Sequence, residues 1–126
     1  MQRLTLTEEQ TNHLTELGLP KPKTFARTHY VWQTEEYIDY YIYSIGELLH
    51  ILPNVIKHNR ATKRLSIIAN YETYTVMYAY VSPSYQVTND GLIMFEEKEI
   101  TEALYKMIIK LKDKNIKKNY GNELVL

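Results

Sequence analysis

No cysteine occurs in the 126 residues. That excludes disulfides, thiolate metal sites and cysteine nucleophiles, and it suits a reducing compartment. Glycine and proline number four each, and no glycine-rich phosphate loop, linker, repeat or low-complexity tract can be assembled from them. An excess charge of one sign is also missing. Fifteen basic and fifteen acidic side chains cancel, for a pI near 6.9, so no global field draws the chain to nucleic acid or to an anionic membrane. No apolar run approaches the ~18 residues of a membrane-spanning helix. The opening MQRLTLTEEQ lacks the apolar segment of a signal peptide. Together these absences lead us to expect a soluble cytoplasmic protein without a membrane partner.

Tyrosine is what the chain has in quantity: twelve, against two phenylalanines and one tryptophan. Its apolar body and polar tip suit half-buried sheet faces and interfaces alike. An apolar share of 44% and a charged share of 24% are ordinary for one domain with its own core.

Three helices carry their own punctuation. Thr7 and Gln10 make a capping box, and Leu14 and Leu17 form the inner face. Gly18 supplies a left-handed stop with Leu19 folding back on Leu14, and Pro20 and Pro22 forbid continuation. Ser44 and Glu47 make a second capping box, with Tyr43 and Leu48 as a hydrophobic staple. Ile45, Leu48, Leu49 and Leu52 then share one stripe up to Pro53. A third helix spans about Lys98 to Lys114, with Ile100, Ala103, Leu104, Met107, Ile108 and Leu111 on its core face. Asn115 is its expected stop, with Ile116 returning to Leu111.

Strands are expected between them. Thr28–Gln33 and Tyr37–Tyr43 flank Thr34-Glu35-Glu36, which suits a hairpin. Arg64–Asn70 and Thr73–Val81 form a second pair joined by a short polar turn. Ser82-Pro83-Ser84 and Asn89-Asp90-Gly91 read as breaks, and Leu92–Phe95 as a short fifth strand. The order α-β-β-α-β-β-(β)-α gives one α+β domain over residues 1–126, with an antiparallel sheet of four or five strands and helices on one face. The two apolar stripes should form the core with Leu65, Ile67 and the inner positions of the fourth strand. Residues 117–126 are expected to be a loosely held tail, with Leu124, Val125 and Leu126 free to dock.

The constellations that could carry chemistry are few. His13, His29, His50 and His58 are scattered. Glu47 and His50 have the E-x-x-H spacing that supplies two metal ligands in helical bundles, but no second pair accompanies them. Glu9 and His13 are likewise a lone pair. No G-x-S-x-G, H-E-x-x-H, Walker or G-x-G-x-x-G motif is present, so neither a catalytic group, a metal nor a cofactor is expected. Two surfaces remain. Trp32 with Tyr30, Tyr37, Tyr41 and Tyr43 gives the first hairpin a dense aromatic face, of the composition that protein interfaces favour. A strand edge there could also pair with its symmetry mate in a homo-oligomer. Second, Tyr74, Val76, Tyr78 and Tyr80 alternate onto one face of their strand, while Lys57, His58, Arg60, Lys63 and Arg64 cluster in a loop beside it. That row is either a partly covered sheet face or a platform of the kind that stacks single-stranded nucleic acid. A third possibility is that it lines a pocket for a nucleotide or other small molecule.

The segments LTLTEEQTNHLTELGLP, YSIGELLHILPNVI and EITEALYKMIIKLKDKNI carry a resemblance. Their L-x-x-E-Q…L-x-x-L-G-L opening, G-[DE]-L-L-x-I-L-P helix and A-L-Y helix resemble a group of small proteins from Bacteroides-type gut bacteria and their phages and mobile elements. The resemblance covers about a third of the chain and carries no functional residues. It implies a phage- or mobile-element-encoded accessory protein in a bacterial cytoplasm. The expectation is a non-enzymatic protein that binds a host factor, inhibiting or redirecting a host system such as defence. The alternatives are a single-stranded nucleic-acid binder and a small-molecule binder using the tyrosine row.

Overall fold

The computed structural model describes residues 4–58, 61–81, 87–88, 94–113, 117–119 and 123–125. The first helix, α1 (Glu8–Glu16), begins at the Thr7–Gln10 capping box and ends as its sequence dictates. Gly18 adopts φ +88°, its amide donates to Thr15 and the Leu19 amide to Leu14, so a Schellman stop closes the helix. Strands β1 (Thr24–Val31) and β2 (Glu36–Ile42) follow as a hairpin. Helix α2 (Ile45–Ile51) starts at the Ser44–Glu47 capping box. Then come β3 (Val55–His58), β4 (Ala61–Ala69), β5 (Tyr74–Val81), β6 (Val87–Thr88), β7 (Met94–Glu97), α3 (Ile100–Asp113), β8 (Lys117–Asn119) and β9 (Glu123–Val125).

The fold is α+β with the expected element order, but the strands form two sheets. Among the described residues β1 and β2 pair only with each other, and the remaining strands run β6-β5-β4-β3-β9-β8 with β7 also on β5. All pairings are antiparallel except β3 with β9. The expected basic loop before the third strand is instead a hairpin, in which Val55–His58 pairs with Ala61–Arg64. Val55 and Ile56 are β-branched and follow Pro53, which ends α2 and favours extended backbone just before it. The tail expected to be loose supplies β8 and β9, whose backbones extend the sheet at β3. The proposed stop at Asn115 and Ile116, and the turns at 82–84 and 89–91, lie outside the described residues.

α2 and α3 meet, and α3 packs on β5 and β7. Leu48, Leu52, Ala103, Leu104, Met107, Ile108 and Leu111 are buried together with Leu6, Leu14, Ile56, Val76 and Tyr78. Ile45 and Leu49 pack at the rim of this cluster. Burial of each large aliphatic side chain contributes roughly 1.5–3 kcal/mol, so these stripes are what hold the helices to the sheet. Ile67 departs from expectation. It lies across from Val76 but stays 38% exposed, beyond the cover of the helices.

Candidate interaction surface

The β1–β2 hairpin is anchored at its root and exposed along its length. At the root, Glu47 accepts from the Ser44 amide and hydroxyl, at 3.2 Å each, and from the Lys23 amide at 2.7 Å. The Thr24 hydroxyl also donates to it. Burial alone would raise the Glu47 pKa, but the bonds from Thr24, Lys23 and Ser44 outweigh it and hold the carboxyl below its ordinary value. Further out, Arg27 forms a two-pronged ion pair with Glu8 of α1, at 2.6 and 3.1 Å, which lowers the Glu8 pKa. The Arg27 guanidinium also lies over the Tyr40 ring, 4.4 Å from its centroid.

Register assigns the two faces. Thr28 pairs with Asp39, Tyr30 with Tyr37, and Phe25 with Tyr41, and directly opposed residues share a face. Arg27 and Tyr40 pair on the other face, the one turned to α1. The face away from α1 therefore presents Phe25, Tyr41, Thr28, Asp39, Tyr30 and Tyr37, and Trp32 joins it through its contact with Tyr30. Tyr30 touches Trp32 at 4.9 Å and Tyr37 at 5.0 Å between ring centroids, while Phe25 meets Tyr41 at 6.1 Å. The Thr28 hydroxyl donates to Asp39 at 2.8 Å between the two clusters. Trp32 is 79% exposed, Tyr37 75%, Phe25 56% and Tyr41 45%.

Four of the five residues expected on this face are thus brought together: Tyr30, Trp32, Tyr37 and Tyr41. Tyr43 is not among them. The strand ends at Ile42, the Tyr43 carbonyl accepts from the Leu6 amide, and its hydroxyl donates to the Pro20 carbonyl. Its ring is buried at 1% exposure. Phe25 is the member that the sequence reading missed. A register shift between Phe25 and Arg27 leaves Ala26 as an extra residue, and such a bulge moves Phe25 onto the face of Tyr30.

The middle of the β5 row, Val76 and Tyr78, belongs to the core. Tyr78 is 1% exposed and its hydroxyl donates to the Pro53 carbonyl at 2.7 Å. Burial drives its pKa far above the ordinary phenol range, so it stays protonated. Tyr74 is half-buried. Lys63, expected to face a ligand, is 1% exposed between Ile56 and Tyr80 in the ladder. Arg64 is exposed, opposite Ala79. Arg60 and the side chains of Lys57 and Tyr80 lie outside the described part. The platform of tyrosine and basic side chains is therefore not assembled by Tyr78 and Lys63, because both are buried.

A groove of about 620 Å³ runs between the 19–23 connector and α2, lined by Leu19, Pro20, Tyr43, Glu47, His50 and Ile51 among others. It brings Glu47 and His50 together, but the carboxylate is already engaged at the hairpin root. Tyr43 is its one tyrosine among the described residues; neither Tyr74 nor Tyr78 lines it. Among the described residues, no three His, Asp or Glu side chains are grouped to hold a metal ion, and no helix is long and apolar enough to cross a membrane. Comparison with protein-family models, curated proteins and solved structures finds no match.

Proposed function

We propose that this chain is a non-enzymatic binding protein that docks its β1–β2 hairpin onto another protein. One observation carries the reading. Phe25, Trp32, Tyr37 and Tyr41 are between 45% and 79% exposed on one face of a two-stranded sheet. At about 200 Å² per aromatic side chain they present roughly 500 Å² of ring surface. That would form the apolar centre of a standard interface, which takes about 800 Å² from each partner. Tyr and Trp at the centre of a patch are the residues on which such interfaces depend. The resemblance of its helical segments extends the proposal to a phage- or mobile-element-encoded protein acting on a bacterial host factor in the cytoplasm.

Affinity capture of the tagged protein from bacterial lysate, with and without nuclease, tests this. A stoichiometric protein that survives nuclease and is lost with Trp32→Ala/Tyr37→Ala is the expected result. Recovery of nucleic acid alone, or a capture profile indifferent to the two substitutions, contradicts it.

A further inference from the structure

The charge on the hairpin narrows the chemistry of its partner. Residues 28–39 include Glu35, Glu36 and Asp39 and no lysine or arginine, and all three carboxylates are exposed. Glu35 lies in the turn between Trp32 and Tyr37, and Asp39 shares their face, while Glu36, paired with Val31, is on the opposite one. The two rings pack on Tyr30 and leave most of their own surface open. Glu35 sits at φ +54°, a left-handed conformation that favours glycine or asparagine. An acid thus occupies the one position of the turn where backbone geometry argues against it. The α1-facing side of the same hairpin shows what aromatic and carboxylate groups do together. There they hold Arg27, stacked on Tyr40 and paired with Glu8.

We propose that the hairpin tip takes an arginine-bearing segment of the partner protein, guanidinium against the Trp32 and Tyr37 rings and charge against Glu35 and Asp39. This rests on the docking function proposed above. Arginine suits such a site better than lysine, because its planar, weakly hydrated head stacks on rings while its N–H groups reach carboxylates. The same charges oppose the other occupants. Nucleic acid would bring phosphates to the Glu35 and Asp39 carboxylates. A second copy related by a two-fold axis would bring two patches of the same negative charge together.

Trp32 is the sole tryptophan, so its fluorescence reads the site directly. The full chain is titrated with short aromatic-free peptides of alternating arginine and threonine, and with their lysine, glutamine and glutamate counterparts. The expected result is saturable binding of the arginine peptide, about tenfold tighter than the glutamine peptide and tighter than the lysine peptide. Glu35→Asn/Asp39→Asn should weaken it about fivefold and flatten its salt dependence without loss of stability, since asparagine tolerates the left-handed turn and can still accept from Thr28. Tyr37→Ala should weaken it with the charges intact. Equal binding of the glutamine peptide in a Tyr37-dependent manner overturns the arginine assignment and leaves the docking function standing. A Tyr37-dependent dimer in sedimentation, with no peptide bound, overturns it in favour of a second copy. A single-stranded oligonucleotide that quenches Trp32 more strongly than any peptide overturns both. No response to any probe overturns the arginine assignment, and capture then tests the docking function alone.

Discussion

Glu47 does two jobs with one carboxylate. It closes the α2 capping box and ties down the start of β1 through Lys23 and Thr24. Its pKa in the folded chain lies below the ordinary 4.5, so its contribution is present above that value and lost as pH falls through the lower folded value. Glu8, lowered first of all by its hydrogen bond with Arg27, acts with the same sign. Glu47→Gln is expected to cost about 1–2 kcal/mol at neutral pH. It should also shallow the decline in stability below pH 4.5, as read by urea unfolding across a pH series. An unchanged pH slope would show that the charge does not hold the root. The Ser44–Glu47 pairing was legible in the sequence because a capping box is local, three residues apart. The Lys23 and Thr24 contacts, 24 and 23 residues from Glu47, were not, because no local pattern encodes them.

At the scale of the element, the hairpin is where the sequence reading and the structure meet most closely. Alternation placed Tyr30, Tyr37 and Tyr41 on one face with Trp32 near the turn. It could not place Phe25, because a bulge at Ala26 reverses the alternation. It misplaced Tyr43, because the same alternation was carried one residue past the strand end, where the chain enters the core. An isolated two-stranded hairpin is at best marginally stable, and this one is held by Glu47 and by the Arg27–Glu8 pair rather than by burial of its outward rings. Trp32→Ala/Tyr37→Ala removes two ring contacts with Tyr30 and no core packing, so it should cost only about 0.5–2 kcal/mol of unfolding stability. Leu48→Ala, at a site with no exposed surface, should cost about 2–5 kcal/mol. If the two exposed rings cost as much as Leu48, they are part of the core and the docking function loses its basis.

For the whole molecule, the α+β order and the apolar stripes of α2 and α3 followed from periodicity and caps, which are local signals. The division into two sheets and the parallel β3–β9 pairing were not legible, since strand partnership between distant segments leaves no mark on either one. The same gap hid the role of β5. Its alternating tyrosines suit a wet face or a platform, and only the packing of α3 on that strand turns Tyr78 into core. The molecule that results has a helix-covered sheet on one side and an exposed aromatic hairpin beside α1. The most direct test places a photo-crosslinking amino acid at Tyr37 and, in a second variant, at Tyr71, which is 100% exposed in the β4–β5 turn. On irradiation in cells that make the protein, Tyr37 should capture one protein partner and Tyr71 none. Capture of the same proteins from both positions, or of none from Tyr37, would contradict the assignment of the hairpin as the docking surface.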